Sequence, residues 1–598
     1  MNITPIENLF PGSQVVSLTA LEATKDHYLA LLLQPHGEIE GTANRIGNFD
    51  SKRAALEGRN FLELAVRKSA NLAVTPEYYL PWETVLQILD EPDTLGPRPG
   101  SIWILGCESA SLQDLSDFAE KAHAAGHLCN FETIDTAKAA AYRYVDPLVY
   151  VFWCADVQNQ DACSLAFAIQ FKTEPCKDKL DVEHDSLYRG NEIYEFNSGV
   201  EDRIRMMTLI CSDAFKFSQE LVTKCYRNHL FIHIQLNPSP DNAAYARYRD
   251  HLFDLGDNSC SELLCLNWAA QVIEHEGQKK PKPWNNNSNS IWYVPRPGFS
   301  PLDVHIEKQH KNGLYYSRVT PFWHGFFLHP EPHAILLKKQ KAAIIGTQAI
   351  LAPKSCVDVV ERWAWHPKAK EFQTAEAHDG FSESLAIYDQ LGGLVNLGKT
   401  SVLSVERAVE LLMGPMGQSF PWYRADNLNA LAVVPRDSVK RVTVDIHRDP
   451  NSPAVAERKR RMQCVQDVLS IAGKNILKWP YPLQVLEKGF QLSWSSAIPS
   501  HNVVSTTNEL NATVIYLSDQ SDMQVVDNAY AFGRNCLEKD WLERYQAGKS
   551  TCDFTAACDQ LVVLYRKNHE LHAYVSGQNR SIVRAEDTSS SSITGEGQ

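Results

Sequence analysis

Three features of the sequence predict an α/β protein. Short apolar runs of strand length alternate with amphipathic helical segments through the first half. Several of those runs end at once in a polar residue with a chemical handle, as sites in α/β folds do. No apolar run reaches the about 18 residues that a membrane span needs.

The elements follow in order. Residues 1–24 read as an irregular arm, and HYLALLLQP (27–35) as a buried strand. A helix is predicted over 51–68, where Leu56, Phe61, Leu62 and Val66 recur at helical spacing. The run Asn71–Thr75 is a short buried strand ending at Pro76. SIWILG (101–106) is a strand, and SLQDLSDFAEKAHAAG (111–126) a helix. LVYVFWCAD (148–156), SLAFAIQFK (164–172), IRMMTLIC (204–211) and LFIHIQLNPSP complete the strand series. KKPKPWNNNSNS (279–290) is a turn-rich surface loop where a boundary is possible.

The second half is globular but less regular. A helix is signalled over about 453–472: Ser452 caps it, Pro453 suits its first turn, and Met462, Val465, Val468 and Leu469 form an apolar stripe. RVTVDIH (441–447) alternates like a half-wet strand. ATVIYL (512–517) and LVVLYR (561–566) read as buried strands, and LSVERAVELLMG (403–414) as a short helix stopped by Gly414. The polar tail 588–598 reads as disordered.

Composition bounds the function. The chain has 598 residues with 44% hydrophobic and 22% charged, which suits several globular cores. Its net charge of -14 disfavours a general nucleic-acid binder. The basic run Arg458-Lys459-Arg460-Arg461 reads first as a solvated helix face, and Phe420, Trp422 and Tyr423 as ordinary core. The first residues lack a basic stretch followed by an apolar core, so no secretory signal is read there. The 14 cysteines are scattered, mostly inside apolar runs, as buried thiols in a reducing cytoplasm are. No zinc-finger spacing is present, so no metal is expected. There is no GxxxxGK[ST] loop, GxGxxG or HExxH, and no cofactor is expected.

Three residues stand out: Glu77 in LAVTPEYYLPW, Lys172 in FAIQFKTEP and Cys211 in MTLICSDAF. Each directly follows an apolar strand. Taken singly, each has an ordinary reading as a turn or core residue. Together they are what attack on an amide or nitrile carbon needs. A thiolate is the nucleophile, a carboxylate moves its proton and later activates water, and an ammonium stabilises the developing negative charge.

The same three segments, in the order glutamate, lysine, cysteine, resemble the signature segments of the nitrilase or carbon-nitrogen hydrolase superfamily. HYLALLLQP with Gln34 resembles the family's opening strand, LFIHIQLNPSP the strand and turn after the nucleophile, and CLNWAAQ with Asn267 a later strand. The resemblance covers roughly residues 25–300, extending towards 335. It implies Glu77 as general base, Lys172 as charge stabiliser and Cys211 as nucleophile at a tight turn. A second glutamate is implied between lysine and cysteine; Glu183, Glu192 and Glu195 are candidates, and spacing favours Glu192. It implies an αββα sandwich, association through outer helices into a homo-oligomer, and a small amide or nitrile as substrate. The sequence departs from the pattern at Ser212 and Phe171, around Thr173-Glu174-Pro175, and in long insertions.

The expected organisation is therefore an arm (1–24), a nitrilase-like domain (25–335), a mixed α+β region (341–587) and a tail. The expected activity is cysteine-dependent hydrolysis or acyl transfer at a non-peptide C–N bond through a thioester. The alternative is a catalytically inactive scaffold of the same fold, or a partner-binding protein in a microbial defence or stress system. The C-terminal half is a candidate surface for a protein partner.

Overall fold

A computed structural model describes residues 1–22, 25–159, 162–176, 182–197, 204–217, 229–238, 243–253, 261–270, 272–275, 281–284, 290–295, 308–309, 312–318, 323–341, 357–377, 408–409, 411–414, 460, 463–471, 479, 483–493, 500–546, 558–575 and 578–581. The described residues up to Ala377 belong to one compact unit, and those from Ala408 onward to a second.

The first unit is built on two large sheets. The ten-stranded sheet holds His27–Gln34, Leu72–Leu80, Ile102–Cys107, Pro147–Asp156 and Cys163–Phe171 at its centre. Leu72–Leu80 pairs parallel with Ile102–Cys107, which pairs antiparallel with Pro147–Asp156. Cys163–Phe171 pairs antiparallel with that strand in turn, so it runs in the same direction as Leu72–Leu80. Glu77 and Lys172 thus lie towards the same, C-terminal end of two strands in one sheet. The eight-stranded sheet holds Glu192–Phe196, Arg205–Ile210, His229–Ile234, Glu262–Leu266 and Ile291–Pro295, with Arg205–Ile210 parallel to His229–Ile234.

Alternation along the strands builds the layers. In the ten-stranded sheet Leu31, Leu33, Ala73, Trp103, Leu105, Val149, Val151 and Phe167 form one core with Phe61, Leu62, Val85, Ile88, Leu115 and Phe118 from Ser51–Arg67, Trp82–Asp90 and Leu112–Ala124. Phe118 meets Phe167 edge-on at 5.2 Å. The opposite face meets the other sheet: Tyr150 and Phe152 pack on Phe196 at 4.9 and 5.2 Å, and Gln170 donates to the Thr208 carbonyl at 2.9 Å. Beyond the eight-stranded sheet, the helix Ala243–Phe253 lays Tyr248 against His233. Helices thus lie against both sheets, a mixed α/β architecture.

Four expectations change. The strand expected to end at Pro76 runs Leu72–Leu80. It passes the proline, which has no N–H to give the ladder, by shifting register between Thr75 and Leu80. Glu77 sits in that irregular stretch. The shift brings the Pro76 carbonyl against Gly106, where an added Cβ would lie 2.1 Å from the oxygen. The arm is not irregular: Asn2–Pro5 pairs with Glu192–Phe196 at the edge of one sheet, and Ser13–Val15 pairs with Pro147–Asp156 of the other. The unit does not end near 335. His333–Gln340 pairs with His27–Gln34, and Val357–His366 and Glu371–Thr374 add two further strands, carrying it to Ala377. Nor does 279–290 mark a boundary, because Lys282–Pro283 pairs with Ile273–His275 within this unit.

The second unit has a six-stranded sheet whose core strands, Asn511–Asp519 and Leu561–Lys567, are parallel. One face packs Val514, Tyr516, Val562 and Leu564 against Val409, Leu412 and Met413 and the helical turns bearing Val465, Val468 and Leu469. The other packs Ile515, Leu517, Leu561 and Val563 against Met523–Gln546. The predicted strands at 512–517 and 561–566 are both present. Residues 419–427, 441–447 and 588–598, and Arg458, Lys459 and Arg461 of the basic run, lie outside the described residues. Among the described residues no helix is long and apolar enough to cross a membrane.

Candidate active site

Glu77, Lys172 and Cys211 line one cavity of about 50 Å3, closed around by Ile46, Tyr78 and Trp284. Glu77 and Lys172 are 1% or less exposed and Cys211 is 2% exposed. An ion buried this deeply needs partners, and Lys172 has several. Its Nζ lies 2.7 Å from Glu77 Oε1 and 2.8 and 3.0 Å from the two Glu183 oxygens, with an Asp146 oxygen at 3.6 Å. The Tyr78 ring lies 5.5 Å beneath the ammonium.

Glu77 and Glu183 are each held from a second side. Glu77 Oε2 accepts the Leu236 amide at 2.6 Å, and its carbonyl accepts Trp268 Nε1 at 2.8 Å. Asn267, expected in a later strand segment, braces that wall: it accepts the Asn237 amide at 3.0 Å and donates to the Asn237 carbonyl at 2.9 Å. Glu183 accepts the Tyr78 hydroxyl at 2.9 Å and the Cys176 amide at 2.5 Å. Gln34 works elsewhere, donating to the carbonyls of His329 and Glu331.

Burial opposes the Lys172 charge, but Glu183 and Glu77 outweigh it and hold the ammonium well above its ordinary range. Three carboxylates around one ammonium cannot all stay ionised away from water. Burial and the facing Glu77 push Asp146 well above the carboxylate range, with Lys172 pulling it down. Burial also raises Glu77, partly offset by Lys172.

Cys211 follows Arg205–Ile210 directly and opens the 3-10 turn Cys211–Phe215 with φ 42. A β-carbon residue in the left-handed region is costly and must be held there by its surroundings. Asp213 does much of that. Its carboxylate accepts the Ile210 amide at 3.1 Å, the Thr173 amide at 2.7 Å and the Thr173 hydroxyl at 2.8 Å, tying the cysteine turn to the lysine segment. His233 holds the other side, its Nε2 2.8 Å from the Cys211 carbonyl. Burial drops His233 to about 3, so the ring is neutral, donates from Nε2 and accepts Gln235 at Nδ1. Cys211 Sγ lies 3.2 Å from the Tyr245 hydroxyl. The Cys176 thiol hydrogen-bonds it as well; that bond, then burial, then Glu77 push the Cys211 thiol up, while Lys172 pulls it down.

The structure therefore brings together Glu77, Lys172 and Cys211, but not Glu192. Glu192 opens the strand Glu192–Phe196 opposite Asn2, at the margin of the eight-stranded sheet. Glu183, on the short helix Val182–Ser186, is the glutamate that reaches Lys172. Glu195 pairs with His229 at 2.9 Å. Sequence reasoning missed Asp146, Cys176, Tyr245 and His233. Only His233 carried a signal, inside the strand after the cysteine.

The chain matches no family model, and comparison with curated proteins finds no match. Among solved structures, similarity is found to a carbon-nitrogen hydrolase from Helicobacter pylori G27, at 14% identity over 45% of this chain and 82% of that one, with a TM-score of 0.28. It is also found to a mutant of the Nesterenkonia AN1 amidase from the nitrilase superfamily, at 11% identity over 51% and 92%, with a TM-score of 0.27. A glutamine-dependent NAD+ synthetase from Acinetobacter baumannii matches at 12% identity over 88% and 83%, with a TM-score of 0.29.

Proposed function

We propose that the first unit is a cysteine-dependent hydrolase or acyltransferase acting on a non-peptide C–N bond of a small amide or nitrile. The observation that carries this reading is the shared cavity. A strained cysteine turn opens onto the same small space as a glutamate already paired with a buried ammonium.

For an amide, the steps follow from the residues. Glu77 takes the Cys211 proton as Sγ bonds to the substrate carbon. The negative charge that forms on the substrate oxygen is met by the Lys172 ammonium. Glu77 returns the proton to the leaving nitrogen, the C–N bond breaks, and ammonia or an amine departs from a thioester on Cys211. Glu77 then deprotonates a water that attacks the thioester carbon. The S–C bond breaks, the acid leaves and Cys211 regains its proton. Another amine in place of water gives acyl transfer. Glu183 holds Lys172 charged and in place.

A scaffold without turnover is the second reading, favoured by the buried thiol and by its hydrogen bond to Cys176. One experiment separates the two. The full chain is incubated with a panel of small primary amides and nitriles and released ammonia is measured. The hydrolase reading expects release that Cys211→Ala abolishes while the circular dichroism spectrum is kept. Release undiminished in that variant, or none from any member of the panel, overturns it.

A further inference from the structure

A second cavity lies in the first unit, apart from the residues around Cys211. It encloses about 370 Å3, within the range of organic-ligand sites at about 300–1000 Å3. Its base is formed by Glu57 from the helix Ser51–Arg67 and by Tyr79, two residues beyond Glu77 on the same strand. Glu57 is 4% exposed and Tyr79 1% exposed. Among the described residues nothing donates a hydrogen bond to the Glu57 carboxyl, and the buried Tyr79 hydroxyl has no partner. The Tyr79 hydroxyl is therefore a buried polar group left unsatisfied at the wall of the cavity, beside the Glu57 carboxyl.

The charges of the wall select the ligand. Glu38, Asp50 and Glu57 face Arg53 as the one arginine or lysine of the lining. Two of those acids are engaged: Glu38 Oε2 lies 2.5 Å from His275 Nε2, and Asp50 accepts the Arg53 amide at 3.0 Å. Burial pushes Glu57 up to about 7, with Arg53 pulling it down, so a cation placed beside it would draw it into the ionised form. Burial lowers His36, also in the lining, so that ring adds no charge near neutral pH. At the mouth, Phe49 is 54% exposed and stacks on His275 at 4.1 Å, offering a flat apolar wall.

We propose that this cavity binds a small organic cation, a primary ammonium or guanidinium on an apolar body, with the head on Glu57 and Tyr79 and the body along Phe49. A charged head satisfies Glu57 by charge-assisted hydrogen bonds. The apolar body takes up the space towards Phe49, where a positive group also meets the face of the ring. An anion would meet three carboxylates, and among the described residues Glu38, Asp50 and Glu57 do not converge closely enough to share a bare metal ion.

The test is isothermal titration of the full chain with n-butylammonium and n-butylguanidinium, with 1-butanol as the uncharged control. Saturable binding of a cation is expected, weakened at least about tenfold in Glu57→Gln and likewise for butanol. Tyr79→Phe is expected to weaken it less, and Cys211→Ala to leave it unchanged. Thermal unfolding of Glu57→Gln checks that the fold is kept. No saturable binding of either cation, equal binding of butanol, or binding that survives in a folded Glu57→Gln overturns the proposal. Binding lost only in Cys211→Ala also overturns it, because the cation would then occupy the other cavity.

Discussion

Lys172 and Glu183 lie eleven residues apart in sequence and 2.8 Å apart in space, and the same carboxylate also accepts the Tyr78 hydroxyl. The lysine is thus gripped by its own following loop as well as by Glu77 on a neighbouring strand. That double grip keeps an ammonium charged with almost no exposure to water. It leaves Glu77 with one oxygen on Lys172 and the other on a backbone amide, so the carboxylate is held at the cavity from both sides.

Removing the ammonium should be severe. Lys172→Met leaves Glu77, Glu183 and Asp146 facing one another with no cation, and breaking a buried ion network from one side costs about 3–5 kcal/mol. Urea unfolding of the variant against wild type checks this. A loss under about 1 kcal/mol would mean that the cluster is not an ionic one.

Glu183 and Glu192 should separate cleanly. Glu183→Gln weakens the hold on Lys172 and should cost about 1–3 kcal/mol and most of the ammonia release. Glu192→Gln, at the sheet margin, should stay within about 0.5 kcal/mol and keep activity. Unfolding curves and ammonia assays on the pair decide it, and the reverse ranking would restore Glu192 as the second glutamate.

The Tyr245 hydroxyl, 3.2 Å from Cys211 Sγ, can donate to a thiolate. Tyr245→Phe removes that donor and should slow iodoacetamide labelling of Cys211 roughly tenfold at fixed pH, as loss of a hydrogen bond to a charged group does. Peptide-resolved mass spectrometry reads the rate at Cys211 against the other cysteines. Unchanged or faster labelling would show that the tyrosine shields the thiol and gives it no support.

His233 sets a pH dependence. Its folded value is about 3 against an ordinary 6.5, so the unfolded chain binds the extra proton between those values. Stability from this group is full above pH 6.5 and is lost as pH falls towards 3. Between pH 7 and 5 the loss is about 2 kcal/mol. In His233→Asn the stability change between those two pH values should be smaller by that amount. A stability loss between pH 7 and 5 in urea unfolding that is equal in wild type and His233→Asn would contradict a buried neutral imidazole.

Much of the first unit was legible because its signals were strong and local. Glu77, Lys172 and Cys211 each close an apolar run, and their segments resemble a known family pattern. What failed was long-range. Nothing in VDPLVY marks Asp146 as facing Lys172, because that depends on the lysine amide bonding the Asp146 carbonyl across a hairpin. Glu183, Glu192 and Glu195 lie in one acidic segment, and spacing alone cannot say which faces inward. The short helix at Val182–Ser186 decides it. The arm misread as irregular has runs of only three and four strand residues, too short for periodicity, and gains its form from edges it finds far away. The strand through Pro76 was cut short because proline breaks a regular ladder, and here the ladder shifts around it.

The central claim is a thioester on Cys211, and mass spectrometry of acid-quenched reactions tests it most directly. Glu77→Gln cannot activate water, so with a small amide or nitrile that wild type turns over it should trap the acyl group. An added acyl mass is expected on the peptide containing Cys211, and none in Cys211→Ala. Turnover by wild type with no adduct on Cys211 in a folded Glu77→Gln, or an adduct on another residue, would contradict it.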